Sequence, residues 1–282
     1  MTYKELWQPL TSIYDENEAR AVVRLVLEKH YGLTMSDIVL GKEQMLPAEE
    51  LQTIRKQLLT GEPVQYVLGL AEFGPYVFHV VPGVLIPRPE TYELCQWMIS
   101  EIKGMRSEVR DYSILDVGTG SGCIACTLAA ELPHAVVTAW DISEKALKMA
   151  SENASQMKVN VTFELVDVLQ TANSQKQKTK SYDLIVSNPP YICKKEQATM
   201  ERNVLEHEPD IALFVPDDNP LLFYRTIAAL GQQNLKPGGW LYFEINPLYA
   251  DDMQQMLSMM SYHNIEIKED QYGKQRMIKA QR

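Results

Sequence analysis

The sequence contains no long apolar run, either internally or near its first residue. Within its 282 residues no stretch approaches the roughly 20 consecutive apolar residues that a membrane-spanning helix requires. The first twenty residues contain no apolar run of signal-peptide length. We therefore expect a soluble, cytoplasmic protein that has no membrane partner.

Basic residues, cysteines and metal-ligand patterns are also scarce. Lys and Arg number 27 against 37 Asp and Glu, and the formal net charge of −10 argues against a broad surface that follows nucleic-acid phosphates. A local basic groove remains compatible with these totals, but we expect no stable nucleic-acid binding. Four cysteines are too few for a disulfide framework, and the five histidines have no metal-ligand spacing. We therefore predict no metal site.

The pattern of residues 1–72 predicts a small helical bundle. Asp15 and Glu18 have the spacing of a capping box, and apolar residues then recur on one helical face as far as Gly32. A second helix is predicted to follow Pro47. No reactive groups cluster in this region, so its expected role is packing against another surface.

Residues 73–89 predict a β-hairpin linker. Tyr76, Phe78 and Val80 alternate with other residues as in a strand, and Pro82-Gly83 predicts a turn. The linker marks the end of the helical region.

Residues 90–282 alternate between strand and helix patterns. Strands are predicted at 113–117, 135–141, 160–166, 182–187, 239–245, 262–268 and 275–280. This alternation is typical of an α/β domain with a parallel sheet covered on both faces. The polar segment 171–181 predicts a solvated loop.

A glycine-rich turn follows the first of these strands, in the stretch ILDVGTGSGCIA. Gly118, Gly120 and Gly122 allow the backbone to pass close to a ligand at the N-terminus of the next helix. Asp141 ends the second strand, where a carboxylate can accept both ribose hydroxyls of a nucleoside. Asp167 follows the third strand and is placed to meet an adenine edge. The loop by itself fits S-adenosylmethionine and a dinucleotide about equally well.

Cys123 and Cys126 form a Cys-x-x-Cys pattern in the same helix. A redox pair at a helix N-terminus is one interpretation. The glycine loop already occupies that N-terminus, however, and both cysteines can serve as small packing residues. We favour packing.

The motif Asn188-Pro189-Pro190-Tyr191 follows the apolar strand 182–187. Neither proline has a backbone N–H, whereas the amide oxygen of Asn188 and the carbonyl of Pro189 are acceptors. Tyr191 adds a flat ring. Two acceptors and a ring suit a planar NH2 group, because both hydrogens are accepted and the plane stacks on the tyrosine.

The two motifs are predicted to face each other across one crevice. In an open α/β sheet, ligands bind beyond the carboxyl ends of the strands, at the point where strand order reverses. That point falls between the first and fourth strands if the fourth lies beside the first. A planar nitrogen in this crevice would lie in line with the methyl group and sulfonium of S-adenosylmethionine. The combination predicts a methyltransferase that acts on a planar NH2 group.

Several stretches resemble the peptide chain release factor glutamine N5-methyltransferases, the HemK family. The resemblance runs from about residue 63 to the C-terminus, and the helical region agrees in size and position. It rests on the stretches LIPRPET, ILDVGTGSGCIA, YDLIVSNPPYI, NVLEHEPDIALF and LKPGGWLYFEI. The resemblance implies a Rossmann-like class I methyltransferase domain with a seven-stranded, mostly parallel sheet, preceded by a small helical bundle and a β-hairpin linker.

The same resemblance implies methyl transfer from S-adenosylmethionine to the glutamine side-chain nitrogen in the Gly-Gly-Gln motif of release factors, which would be the protein partners. The residues implied to hold the cofactor are Gly118, Thr119, Gly120, Ser121, Gly122, Asp141, Asp167, Val168 and Asn188. The residues implied to hold the glutamine are Asn188, Pro189, Pro190 and Tyr191, with Asn188, Pro189 and Tyr191 as the catalytic candidates. We expect a monomer in which residues 1–72 dock the partner, 73–89 form the linker and 90–282 carry the transferase.

Three positions depart from the family pattern. Val168 stands where the family is often aromatic, Tyr92 where an acidic residue is common, and Asn246 where glycine often follows Glu-Ile. Arg88 and Glu90 lie near the start of the transferase region, and the sequence assigns them no role. The alternatives are methylation of a ribosomal-protein glutamine, methylation of an exocyclic amine in nucleic acid, and an idle module that binds release factors.

Overall fold

A computed structural model describes residues 1–104, 111–171 and 181–282. These residues form two compact units: Met1–Leu70 with Met200–His207, and Ala71–Thr199 with Glu208–Arg282. Apart from its two end residues, the predicted loop 171–181 lies outside the described ranges. Within those ranges, no helix is long and apolar enough to cross a bilayer.

The α-helices, in chain order, are α1 (Tyr3–Trp7), α2 (Glu16–Tyr31), α3 (Met35–Val39), α4 (Ala48–Leu59), α5 (Val64–Leu68), α6 (Pro89–Gly104), α7 (Cys123–Glu131), α8 (Glu144–Met157), α9 (Val168–Thr171), α10 (Arg202–His207), α11 (Asp210–Leu213), α12 (Leu222–Asn234) and α13 (Ala250–Met259). The strands are β1 (Leu70–Phe73), β2 (Tyr76–His79), β3 (Tyr112–Val117), β4 (Ala135–Asp141), β5 (Val161–Leu165), β6 (Tyr182–Ser187), β7 (Ile192–Cys193), β8 (Phe214–Val215), β9 (Leu235–Glu244), β10 (His263–Glu269) and β11 (Gln275–Gln281).

The first unit is helical and contains α1 to α5 together with α10. α2 begins as its capping pattern predicts, because the Asp15 side chain accepts a hydrogen bond from the Glu18 N–H at 2.9 Å. Its buried face packs with residues of α1, α3 and α4 around Leu10 and Leu27, neither of which is exposed. The inclusion of α10 in this unit could not be predicted, because more than a hundred residues of the other unit precede it in the chain.

The hairpin predicted within 73–89 has different bounds in the structure. It pairs β1 with β2 around a turn at Gly74-Pro75, and Pro82-Gly83 forms a separate turn after the hairpin. Gly74 in this turn has φ +59°, which favours glycine. A Cβ at this position would lie 2.2 Å from the Tyr92 ring. Tyr92, one of the departures from the family pattern, therefore packs on the hairpin turn.

All seven strands predicted in the transferase region are present in a seven-stranded sheet of order β10-β11-β9-β6-β3-β4-β5. β9 begins at Leu235, earlier than the predicted 239, because Leu235 already pairs with Tyr182 before a register shift. β11 pairs antiparallel with β9 and β10, and the other pairings are parallel. The chain runs from β3 outward through β4 to β5 and then returns to β6 on the opposite side of β3. Strand order therefore reverses between β3 and β6, as predicted.

Helices cover both faces of the sheet. On one face α6 and α7 pack with β3 and β4, and on the other α12 and α13 pack with β6 and β9. The resulting fold is the Rossmann-like class I methyltransferase fold. It brings the carboxyl ends of β3 and β6 side by side.

Candidate active site

A cleft opens at the carboxyl ends of β3 and β6. Gly118 to Ser121 line it on the β3 side, and Asn188 and Pro190 line it on the β6 side. Residues 83–88 and 209–212 contribute further walls. The cleft encloses about 130 Å³, and about 830 Å³ when the open space at its mouth is included. The prediction that the two motifs share one crevice is confirmed.

The glycine loop turns directly from β3 into α7. The N–H groups of Gly118 and Thr119 both donate to the Trp140 carbonyl of β4, at 2.8 and 2.9 Å, which ties the loop to the neighbouring strand. Gly122 has φ +81°, and a Cβ there would lie 2.9 Å from the Ala150 Cβ. Only glycine fits this close approach of α8 to the loop.

Asp141 lies at the end of β4 and lines the same cleft. One carboxylate oxygen accepts the Gly120 N–H at 2.8 Å, and the other accepts the Ser143 N–H at 2.9 Å. Burial raises the pKa of Asp141, against the effect of these backbone donors. Each oxygen still has acceptor capacity, so a ligand hydroxyl can bind beside the backbone donors.

The proline turn presents Asn188 and Pro190 to the cleft, while Pro189 is buried. Tyr191 is predicted to offer a flat ring for stacking, and this role stays a prediction. Its hydroxyl donates to the Glu244 carboxylate at 3.0 Å, and it is not among the residues described as lining the cleft. The tyrosine hydroxyl is thus anchored behind the turn.

Two family models and several curated relatives match this chain. Residues 98–209 match the methyltransferase small domain model, and residues 8–69 match the PrmC N-terminal domain model. A release factor glutamine methyltransferase of Bacteroides thetaiotaomicron is 46% identical over 278 residues, covering 98% of this chain and 97% of the relative. One of Flavobacterium psychrophilum is 42% identical over 276 residues, covering 97% and 95%. The chain belongs to the release factor glutamine methyltransferase family.

The fold also matches that of more distant methyltransferases. A solved 16S rRNA N2 methyltransferase of Thermus thermophilus, in complex with AdoMet and guanosine, is 18% identical with a TM-score of 0.52. The match covers 76% of this chain and 49% of that one. At this identity the likeness shows the fold alone.

Two residues behind the proline turn, Thr91 and Glu244, were not predicted from the sequence. In this member of the release factor glutamine methyltransferase family, Asn188 Nδ2 donates to Thr91 Oγ1 at 3.0 Å. Thr91 in turn donates to Glu244. Both partners are buried, with Thr91 2% and Glu244 1% exposed. Burial raises the pKa of Glu244, while the hydrogen bonds from Thr91 and Tyr191 oppose the rise.

Asn246 also lies against the turn. Its Nδ2 donates to the Tyr191 carbonyl at 3.3 Å and to the Glu196 carboxylate at 3.1 Å. Glu196 accepts the Cys193 N–H at 2.8 Å. The departure from the family's glycine therefore adds a buried amide that braces the segment after the prolines.

Arg88 and Glu208 connect two of the stretches that resemble the family, LIPRPET and the segment containing His-Glu-Pro. The Arg88 guanidinium pairs with the Glu208 carboxylate, whose other oxygen accepts the Ile86 N–H at 3.2 Å. The Glu208 side chain is 1% exposed and that of Arg88 31%. This pair joins the two walls of the cleft formed by residues 83–88 and 209–212.

Asp116 lies beneath the glycine loop and was also missed. It is fully buried in β3 and accepts the Thr119 hydroxyl at 2.6 Å. Its second oxygen has no hydrogen-bond partner among the described residues. Burial raises the pKa of Asp116 to about 7, and the Asp141 carboxylate adds to the rise. Its position in the strand, two residues before Gly118, was the available sequence signal.

We expect Asp116→Asn to change how stability depends on pH. A carboxyl whose folded pKa of about 7 exceeds its unfolded value binds its proton more tightly when folded, so the wild type loses stability as pH rises from about 4 to about 7. The variant lacks this loss. Its free energy of unfolding should therefore rise by roughly 2–4 kcal/mol relative to that of the wild type when the pH is raised from 5 to 8. Urea unfolding at both pH values measures it, with the exposed Asp252→Asn as control. If the free energy of unfolding of the variant differed from that of the wild type by the same amount at pH 5 and pH 8, the raised pKa of Asp116 would be contradicted.

Asp167 and Val168 are not among the residues described as lining the cleft. The Asp167 carboxylate accepts the Leu169 N–H at 2.9 Å at the start of α9. Val168 is partly buried against the core beneath β4 and β6. Both still follow β5, next to the β4 end, because the Val166 N–H donates to the Asp141 carbonyl at 2.9 Å. Their cofactor roles stay predictions.

Cys123 and Cys126 are packing residues in α7. Both are buried in the core that α6 and α7 form on the sheet. Burial raises the pKa of each thiol to about 12, which disfavours the reactive thiolate.

Proposed function

We propose that this protein transfers a methyl group from S-adenosylmethionine to the side-chain amide nitrogen of the glutamine in the Gly-Gly-Gln motif of release factors. The observation that carries the proposal is the shared cleft, in which the glycine loop faces Asn188 and Pro190. Two relatives that match nearly the full chain are release factor glutamine methyltransferases.

The cleft fits S-adenosylmethionine. A Cβ added at Gly118 or Gly120 would meet no atom within 4 Å, so the loop backbone borders open space. The buried hydroxyl of Ser121, which also lines the cleft, has no hydrogen-bond partner among the described residues. Asp141 offers a carboxylate beside the loop for ribose hydroxyls. Bound there, the cofactor would supply an electrophilic methyl group on a sulfonium, and the leaving group would be the neutral thioether of the product, S-adenosyl-L-homocysteine.

The protein's own contribution is orientation. The Asn188 Oδ1 atom, at the cleft, is the proposed acceptor for one hydrogen of the substrate NH2 group. The carbonyl of Pro189, a buried residue next to it, is the proposed acceptor for the other. An amide nitrogen is a poor nucleophile because its lone pair is delocalised. Accepting both hydrogens favours the pyramidal geometry that frees the lone pair and fixes its direction. Orientation of this kind supplies roughly 7–11 kcal/mol of a barrier in well-positioned reactions.

Residues 1–72 are proposed to dock the release factor away from the glutamine. The first unit exposes large apolar side chains between α3 and the 3-10 helix at Lys42–Met45, including Val39 at 75% and Met45 at 88% exposure. An intact factor should therefore show a lower KM than a short peptide that carries the Gly-Gly-Gln motif. Equal KM values would exclude this docking role.

The test of the proposed function is methyl transfer from labelled S-adenosylmethionine to a purified release factor. Its controls are the factor with Gln→Ala in the Gly-Gly-Gln motif, ribosomal proteins and bare DNA. Label that disappears with the glutamine supports the proposal. Label on a ribosomal protein or on DNA would show that the methyl transfer occurs but that the release factor is not the substrate. Absence of label with cofactor still bound would favour the idle binding module.

Asp141→Ala should mainly weaken cofactor binding. Loss of a charged acceptor costs about 1.5–3 kcal/mol, which corresponds to roughly 10–150-fold in Kd. The kcat at saturating cofactor should change far less, because Asp141 does not face the reacting nitrogen. Isothermal titration with S-adenosylmethionine measures the effect, and Asp252→Ala is the exposed control. An unaltered cofactor affinity would contradict the proposed role of the loop.

A further inference from the structure

Behind the proline turn lies a buried chain of hydrogen bonds whose direction is fixed by chemistry. It runs from Asn188 Nδ2 to Thr91 Oγ1 and from the Thr91 hydroxyl to one oxygen of Glu244. The other Glu244 oxygen accepts the Tyr191 hydroxyl. The chain links α6, the end of β6 and the end of β9, all within the second unit.

Each oxygen of Glu244 receives one hydroxyl, from Thr91 and from Tyr191, so the carboxyl group acts as an acceptor on both sides. A threonine hydroxyl has a single hydrogen to donate. Because that hydrogen is donated to Glu244, Thr91 Oγ1 can only accept a hydrogen bond from Asn188. Asn188 must therefore turn its NH2 group toward Thr91. Its Oδ1 atom is left on the other side, and no donor among the described residues bonds it.

We propose that Thr91 and Glu244 are positioning residues that set the amide orientation of Asn188, so that its oxygen is directed at the substrate NH2 group. This inference rests on the proposed function, because it concerns the acceptor for the glutamine nitrogen. With the amide turned over, Asn188 would present NH2 to NH2. Two donors would then face each other, and one of the two acceptors that orient the nitrogen would be lost.

The same carboxylate also fixes the far side of the turn. Because Glu244 accepts the Tyr191 hydroxyl as well, one buried group restrains the side chains before and after the two prolines. Glu244 thus acts on Asn188 through Thr91 and on Tyr191 directly. This explains why a fully buried acidic residue stands at the end of β9.

The first pair of variants is Thr91→Val and Thr91→Ser. Valine keeps the shape but removes the hydroxyl, and we expect kcat to fall about 10–100-fold. The loss is smaller than for complete removal of a fixed hydrogen-bond partner, because Asn188 is still present but less well oriented. Serine keeps the hydroxyl and should retain kcat within about threefold. The Kd for S-adenosylmethionine should change little in either variant. Thr162→Val, at an exposed position of β5, is the matched control.

Glu244→Gln provides an independent second variant. The new amide can donate to Thr91 Oγ1, which releases the threonine hydrogen toward Asn188 and favours the reversed amide. The kcat should again fall, although the side chain has the same shape. In the Thr91→Val background the same substitution should cause no further loss, because the chain is already interrupted. Additive losses would overturn the proposal.

The amide orientation can also be read without any protein substrate. The Asn188 side-chain NH2 resonances, assigned by their loss in Asn188→Ala, should show slow exchange with solvent in the wild type and in Thr91→Ser. They should exchange faster in Thr91→Val. If release factor is not methylated but this pattern holds, the proposed substrate fails and the positioning chain stands. Equal exchange in Thr91→Val and Thr91→Ser, or equal kcat in these two variants, would overturn the positioning role.

Discussion

Replacing Asn188 by alanine is expected to lower kcat by about 10²–10³-fold while leaving cofactor affinity nearly unchanged. The magnitude is that of one fixed hydrogen-bond partner removed from the reacting group. The variant loses the Oδ1 acceptor for the substrate NH2 group, whereas the glycine loop and Asp141 keep their mutual hydrogen bond. The proper measurement is single-turnover methyl transfer with saturating release factor and cofactor.

The fold should tolerate this change. Thr91 still donates to Glu244, and Asn188 itself is only partly buried. Asn160→Ala, at an exposed position before β5, is the matched control and should retain full activity. A rate within threefold of wild type for Asn188→Ala, with normal folding, would remove Asn188 from the reaction.

The parts of the site that could be predicted from the sequence are those formed by short, contiguous motifs. The glycine loop and the Asn188 turn each follow an apolar strand, and strand order placed the two strand ends together. The reversal between β3 and β6 could be expected because ligand sites of open α/β sheets lie at such points. Local pattern and general topology were sufficient there.

The partners of these motifs could not be predicted, because they come from distant parts of the chain. The hydrogen bond from Thr91 to Glu244 spans 153 positions, and that from Arg88 to Glu208 spans 120. Periodicity says that Glu244 ends a buried strand but not that its carboxylate receives two hydroxyls. Only packing of α6 against the strand ends of the sheet brings these groups together.

The hairpin shows the same limit. Its turn lies at Gly74-Pro75, where the Tyr92 ring occupies the space that a side chain at residue 74 would need. The sequence predicted a turn only at Pro82-Gly83, which is a turn in the structure but lies after the hairpin. The residue that packs on the hairpin turn, Tyr92, belongs to α6 and is not part of either turn.

Two of the departures from the family pattern make specific contacts in the structure. Tyr92 packs on the hairpin, and Asn246 bonds both the Tyr191 carbonyl and Glu196. The Asn188 turn is therefore restrained from two directions, by Glu244 through side chains and by Asn246 through the backbone. A rigid turn suits a reaction in which the protein contributes orientation rather than a strong base.

Replacing Arg88 by alanine is expected to destabilise the second unit by about 3 kcal/mol. Removing one partner of a buried ion pair leaves the other charge without compensation, which costs about 3–5 kcal/mol in comparable cases. The lower value applies because Glu208 keeps the Ile86 N–H as a donor. The cleft wall at residues 83–88 should loosen at the same time, since the pair connects it to the opposite wall.

Tryptophan fluorescence in urea measures this effect in the correct unit. Trp97, Trp140 and Trp240 lie in the second unit, so a Trp7→Phe background removes the signal of the first. Lys148→Ala is the control, because its pair with Glu152 lies in the second unit and is exposed, and exposed pairs contribute about 0–1 kcal/mol. The double variant Arg88→Met, Glu208→Gln should recover most of the loss, because no unpaired charge is then buried. Equal effects of Arg88→Ala and Lys148→Ala would show that the Arg88–Glu208 pair does not brace the cleft.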